Sequence, residues 1–255
     1  MRSKLRYQFD LLRELVLRDL RLRYKRSLLG VFWSLLNPLL QLLVFTLIFG
    51  IVLPLKIPNF PLFLFVGLLA WNWFQASLTE ATGAIVDNRD LVRRPGFSTT
   101  ILPVVPVTTN FIHLLIALPV LLVFLVAGGV PLTPFAFMLP AVFAVQFVVT
   151  LGLAYIVAAL HVSFRDVRYV LAVVLLLGFY MTPVFYDPAA IPPAFQSLYH
   201  LNPLVTLIES YRDLLLYGNM PQFHWLLLIA LAGVLALWWG VRLFKHNSIH
   251  FAEEL

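Results

Sequence analysis

The chain has 255 residues, of which 61% are hydrophobic and only 12% charged, with a mean hydropathy of +0.91 and a formal net charge of +6. Soluble domains carry about 25% charged residues, so one water-soluble core is excluded and lipid must solvate much of this surface. The lack of cysteine excludes disulfides, thiolate catalysis and cysteine-ligated metal; the basic residues lie beside apolar segments rather than in a nucleic-acid-binding module.

The first 27 residues read as an amphipathic helix. Leu5, Phe9, Leu12, Val16 and Leu20 step by three or four, and Arg6, Asp10, Arg13, Glu14, Arg18, Arg21 and Lys25 occupy the other side. Such a helix lies flat in a membrane interface or packs on a soluble partner domain, and the pattern suits both. Arg21, Arg23, Lys25 and Arg26 then abut an uncharged run that lasts until Lys56. A membrane crossing needs about 20 mainly apolar residues, and six segments qualify: Leu28–Leu53, Phe60–Thr82, Ile101–Ala127, Pro134–Leu160, Arg168–Tyr186 and Phe223–Phe244. The fifth is the shortest. With the N-terminus inside, sixteen of the eighteen Lys and Arg residues share the inner side, leaving Lys56 and Arg212 outside. That asymmetry predicts cytoplasmic termini.

Gly30, Ser34, Asn37, Gln41 and Phe45 share one face of the first span, with Trp33 beside them. Polar groups in a bilayer face protein or water, so this stripe either lines a pore or glues helices together. Glu80 and His113 are the sparse ionisable groups inside spans; Glu80 is near enough to the interface to pair with an arginine, and neither has an acid or metal-ligand partner at helical spacing. The stretch DNRDLVRRPGF after the second span predicts a short helix capped by Asp87 or Asn88 and stopped at Pro95–Gly96. Arg89, Arg93 and Arg94 project from it, as in an ordinary topogenic loop. Tyr169, Val173, Leu176 and Tyr180 form a stripe on the fifth span. Beyond it, Asn202–Pro203 reads as N-cap and first helical residue and Gly218 as the stop, which predicts a helix over Pro203–Tyr217. Leu204, Leu207, Tyr211, Leu214 and Leu215 would form its apolar stripe, with Glu209, Arg212 and Asp213 off it; a shorter helix over Pro193–Tyr199 precedes. The pair is either re-entrant or a cap on the outer surface. No phosphate loop, nucleophile elbow or HExxH occurs, so the chain has no site for ATP hydrolysis.

In this order, RYKRSLLGVFWSLLNPLL, NRDLVRRPGFSTTILP, FRDVRY, YMTPVFY and LNPLVTLIESYRDLLLYG resemble the permease subunits of ABC exporters for cell-surface polysaccharides. The likeness is greatest to O-antigen exporter permeases; capsule and teichoic-acid exporter permeases belong to the same group. The resemblance implies an all-α integral membrane protein forming a single permease domain over 1–255. It comprises an interfacial helix (1–27), spans one to five (28–186), outer gate helices (187–221), span six (223–244) and a cytoplasmic tail (245–255). It also implies a homodimer in the bacterial inner membrane, served by two copies of a separate ATPase subunit that binds ATP and Mg. The cargo would be polysaccharide on undecaprenyl diphosphate. The chain itself would carry no cofactor or metal, would not be an enzyme and would not bind nucleic acid.

Carried onto this sequence, Asp87, Asn88, Arg89, Asp90, Arg93, Arg94 and Phe97 fall in the ATPase-coupling helix. Gly30, Trp33, Ser34, Asn37, Gln41, Phe45, Tyr169 and Tyr180 fall on the channel lining, where aromatic faces and hydroxyls suit sugar rings. Asn202, Pro203, Glu209, Tyr211 and Arg212 fall in the gate. Arg23, Lys25 and Arg26 are placed to hold the lipid diphosphate by charge-assisted hydrogen bonds. The alternatives are the same architecture moving teichoic acid, capsule or another cargo, and a membrane-embedded lipid-glycan enzyme. The latter needs an acid pair or metal cluster facing one cavity.

Overall fold

The computed structural model describes residues 2–25, 30–131, 133–192, 195–196, 199, 201–248 and 251, and all regular elements among them are helical. They are α1 (Arg2–Tyr24), α2 (Trp33–Thr46, running on through a π turn over Leu47–Val52), α3 (Phe60–Gly83), α4 (Arg89–Val92), α5 (Val104–Ala127), α6 (Leu139–Ser163), α7 (Val167–Met181), α8 (Pro203–Arg212, with a π turn over Asp213–Tyr217) and α9 (Phe223–Asn247). Among the described residues, five helical stretches are long and apolar enough to cross a membrane: Trp33–Val52, Phe60–Gly83, Thr99–Ala127, Pro134–Ser163 and Phe223–Asn247. Arg26 and the predicted start of the first span at Leu28 lie outside the described residues. So does most of the predicted helix over Pro193–Tyr199.

The fifth apolar segment is shorter than its hydropathy suggests, because α7 stops at Met181 rather than Tyr186. Pro183 is the reason: a residue before proline is pushed out of the helical region, and Thr182 sits at φ −111°, ψ 141°.

α3 is the hub, with 17 of its 24 residues buried, whereas α7 buries only Leu175. The main core gathers Phe63, Phe65, Trp73, Val107, Leu121, Val142, Leu207 and Tyr211 from α3, α5, α6 and α8. α6 and α9 meet backbone to backbone. A Cβ on Gly152 would lie 2.6 Å from the Leu237 amide nitrogen, and one on Gly240 would lie 2.6 Å from the Gly152 carbonyl. Small residues permit such an approach where apolar side chains gain nothing by leaving lipid.

A second cluster closes the end of the bundle that carries most of the basic residues, called here the basic end. It joins Leu15 and Val16 of α1 to Ile85, Leu102, Tyr155, Ala158, Phe244 and Phe251. α1 therefore packs on the chain's own helices. Its seam is Leu11, Leu12, Leu15, Val16 and Leu20, shifted from the predicted stripe, because Phe9 is 68% exposed. At the opposite, far end lie the α2–α3 and α5–α6 connections and residues 182–222.

Candidate functional site

A cavity of about 390 Å³ opens between α1, α2, α3 and α5 toward the basic end. Its size falls in the range of small-molecule sites, roughly 300–1,000 Å³, and its lining is polar for a chain this apolar. Trp33, Ser34 and Asn37 face it from α2, Asn72 and Glu80 from α3, Asn110 and His113 from α5, and Arg23 from the end of α1. The α3 contribution follows from helical spacing: Asn72, Ala76 and Glu80 are four residues apart and line one side. Arg23 pairs with Glu80 and also bonds Asp19 at 3.4 Å. Asn110 donates to the same Glu80 oxygen at 2.8 Å and to the Pro106 carbonyl at 2.9 Å. One carboxylate thus ties the N-terminal helix to α3 and α5. Beyond this pair lies a second cavity of about 310 Å³, lined by Arg18, Asp19, Asp87, Asn88 and Arg168 and sharing Arg23 and Glu80 as a common wall.

The predicted channel residues divide into two groups. Trp33, Ser34 and Asn37 share the cavity with Arg23. Gln41 stands just beyond and accepts a hydrogen bond from Asn72 at 2.9 Å. Gly30 holds φ +51° in the turn that leads into α2. Phe45 belongs instead to an aromatic cluster toward the far end, with Phe49, Phe179 and Phe185 at centroid distances of 5.8, 5.8 and 5.7 Å. Tyr180 edges onto Phe179 and Phe185. Tyr169 sits at the other end of α7, 74% exposed. Around Tyr169 and Tyr180, Val170, Val173, Val174, Leu176, Leu177 and Met181 are all exposed. Lys25 is exposed in the turn after α1.

The α3–α5 connection forms a 3-10 turn (Val86–Asn88) followed by the single turn of α4. Asn88 holds the N-cap position, but its side chain does not cap. It bonds back to the Ala84 carbonyl at 3.0 Å and accepts from Arg18 at 2.8 Å. The expected cap is thus replaced by a tether to α1, and Asp87 makes no cap either. Leu91, Val92 and Phe97 anchor the loop on the basic-end core, while Asp87, Arg89, Asp90, Arg93 and Arg94 are exposed.

At the far end Asn202 caps α8 as predicted, accepting from the Leu204 amide at 3.0 Å, and its amide nitrogen donates to Thr182 at 2.8 Å. Pro203 occupies the first turn and Gly218, at φ +63°, ends the π turn. Tyr211 donates to Gln146 at 2.8 Å, and Gln146 donates to the Ala70 carbonyl at 2.9 Å. Arg212, read from the pattern as lying off the buried stripe, is 2% exposed. Its Nε and Nη2 donate to the Phe63 carbonyl at 3.3 and 3.2 Å, and Nη2 also to the Val184 carbonyl at 2.8 Å. Gly67 makes room, since a Cβ there would lie 2.9 Å from Nη2. Burial lowers the Arg212 pKa to about 9, so the guanidinium stays charged at neutral pH. Burial, then the charge of Asp213, raises Glu209 to about 7.

Asn72 and Gln146 complete these networks and were not singled out in the sequence, and Arg18 was read only as part of the charged face of the first helix. Only the eight-residue spacing of Asn72 and Glu80, two four-residue steps on one helix face, offered a signal for one of them. Among the described residues no group of three or more His, Asp or Glu side chains is placed to hold a metal ion.

A bundle of apolar helices around a polar cavity, with a charged loop tethered at one end, describes a multi-pass membrane protein. The model for the ABC-2 type transporter family matches residues 10–216, and the chain belongs to that family. It is 38% identical over 252 residues to the O-antigen export system permease protein RfbA of Myxococcus xanthus, covering 98% of this chain and 97% of that one. A protein of the same name from Klebsiella pneumoniae is 33% identical over 256 residues, covering 100% and 98%. The polysialic acid transport protein KpsM of Escherichia coli is 26% identical over 242 residues, covering 91% of each chain.

Proposed function

We propose that this chain is the permease subunit of an ATP-driven exporter of lipid-linked O-antigen polysaccharide. In this reading it works as a homodimer in the inner membrane and is driven by two copies of a separate ATPase subunit that binds ATP and Mg. The observation that carries it is the near-complete alignment with two permeases named for O-antigen export. The geometry supports it: Arg23, one of the three cations proposed for the lipid diphosphate, and three proposed channel residues line one cavity. α7 is counted as the sixth span, with its exposed face and that of α2 meeting a second copy, and the basic end faces the cytoplasm. Lipid-linked glycan, its undecaprenyl diphosphate held by Arg23, Lys25 and Arg26, passes from the cavity toward the aromatic cluster. Force from the ATPase enters at Arg89, Arg93 and Arg94. The helices at 187–221 act as the outer gate. The likeness to KpsM favours a second reading, in which the same machine moves a capsular polysaccharide.

Reconstitution tests both readings. The chain and its co-purifying ATPase are placed in vesicles loaded with lipid-linked O-antigen or capsular glycan, and ATP-dependent transfer is measured. R93E/R94E should leave the permease folded and reduce glycan-stimulated hydrolysis by at least about tenfold, roughly 1.4 kcal/mol of activation free energy. Normal export by that variant would remove the loop from the drive train. Failure to co-purify any ATPase would overturn the exporter reading itself.

A further inference from the structure

A third cavity, of about 320 Å³, lies at the far end beneath α8, apart from the basic-end cavity and the aromatic cluster. We propose that it is a second saccharide subsite, which holds a neutral, hydroxyl-rich sugar unit as the polymer leaves the channel. The proposal rests on the export reading above.

Among the residues that line it are Asp187, Glu209, Arg212, Asp213, Tyr217 and Gln222, with Phe63 as the floor. Arg212 is the fixed element. Three hydrogen bonds to backbone carbonyls, and the Phe63 ring 3.3 Å from its guanidinium carbon, hold it in place. Its Nη1 is buried and makes no hydrogen bond among the described residues. No carboxylate lies within ion-pair distance of it, since the ion pairs among the described residues are those of Arg23. A buried donor without an acceptor is destabilising, and here it belongs to a side chain that lines a roomy polar cavity. The geometry therefore calls for a ligand that brings an acceptor.

The other walls specify which ligand. Asp187 uses one oxygen for the Ala189 amide, at 2.9 Å. Glu209 and Asp213 make no ion pair among the described residues, and burial raises the pKa of both. Three carboxyl groups around one guanidinium repel phosphate or an acidic sugar. They are not grouped to hold a metal ion. What remains is a ligand that donates to carboxylates and accepts from an arginine at once, which vicinal hydroxyls do. Tyr217 and Gln222 add a ring face and an amide of the kind that sugars use. The location fits as well. Asp187 follows directly on Phe185 and Tyr186, whose rings lie 5.2 Å apart and continue the aromatic cluster, so the backbone joins one wall of this cavity to that cluster.

The test is photocrosslinking in the complete exporter. Benzoylphenylalanine is placed at Gln222, which is exposed at the cavity, or at Tyr180 in the aromatic cluster, and lipid-linked O-antigen with a neutral repeat is exported under ATP. Glycan adducts should form at both positions, and E209Q/D213N should lower the adduct at position 222 at least fivefold while leaving that at position 180. Adducts at Tyr180 with none at Gln222 would sink the subsite and spare the export reading. An undiminished adduct in E209Q/D213N would also sink it, since the carboxyl groups would then not be holding the sugar. If the wild-type complex exported nothing under ATP, both would fall.

Discussion

Removing the Tyr211 hydroxyl isolates one buried hydrogen bond that ties the far-end helix to the bundle. Tyr211 is 3% exposed and Gln146 fully buried, and they are 2.8 Å apart. Y211F keeps the ring against Phe143, 5.6 Å away, so little packing is lost. It leaves the Gln146 carbonyl oxygen without its donor. An unsatisfied buried group costs about 1–3 kcal/mol in soluble proteins, and hydrogen bonds between membrane helices average about 0.6 with a maximum of about 1.7 kcal/mol. The expected loss is therefore about 1 kcal/mol. Q146L alone should cost a similar amount, because it strands the tyrosine hydroxyl; the Ala70 carbonyl keeps its helical bond within α3. Y211F/Q146L strands neither group and should be less destabilised than the two single losses together, by about 1 kcal/mol of coupling. Equilibrium unfolding in mixed micelles, followed by tryptophan fluorescence, measures all four proteins. Single-variant losses below about 0.3 kcal/mol, or strict additivity, would refute the claim that this bond locks α8 to α6.

E80Q keeps the shape of the side chain and removes the charge that Arg23 faces. The pair is partly exposed, so the cost should be modest, about 1 kcal/mol after screening; faster hydrogen exchange across residues 18–25 would report the loosened α1, and unchanged exchange would remove Glu80 as its anchor. G152A inserts a methyl where the Leu237 amide nitrogen lies 2.6 Å away. It should lower the melting temperature by several degrees and free α9, and wild-type melting would mean that the α6–α9 seam has slack. Glu209 has a native pKa raised to about 7 by burial and by Asp213. Its stabilising share is present below the ordinary carboxyl pKa and is lost as pH rises through about 7. Arg212, Asp213, Asp187 and Tyr199 titrate or carry charge beside it, so only the difference from E209Q is diagnostic. Between pH 5 and 8 the wild-type melting temperature should fall more steeply than that of E209Q, and parallel curves would count against the shift.

Much of the helical frame was legible because apolar length is a one-dimensional property. Phe60–Thr82, for example, predicts α3 to within a residue of its end at Gly83. The Ser34–Asn37 stripe was legible from three- and four-residue steps, and the Asn202–Pro203 start from cap chemistry. Partners distant in sequence were not. Nothing near Asn88 announces Arg18, and nothing near Tyr211 announces Gln146, 65 residues away. Arg212 shows the limit most clearly. Its place off the apolar stripe suggested a wet face, but the carbonyls of Phe63 and Val184 and the space left by Gly67 make a dry one habitable. Likewise, α7 ends early because of a backbone restriction at Pro183 that a hydropathy window does not register.

The shortness of α7 bears on the lipid itself. At 1.5 Å per residue, its 15 residues reach about 22 Å, against a hydrocarbon layer about 30 Å deep. Counted as the sixth span, as proposed above, it would draw the adjoining leaflets toward each other on any side that the second copy leaves bare. A large head group crossing there would face a thinner oily barrier, so we expect transport to slow in vesicles of long-chain lipid; rates indifferent to acyl length would show that a neighbouring subunit, not a deformed bilayer, covers that helix.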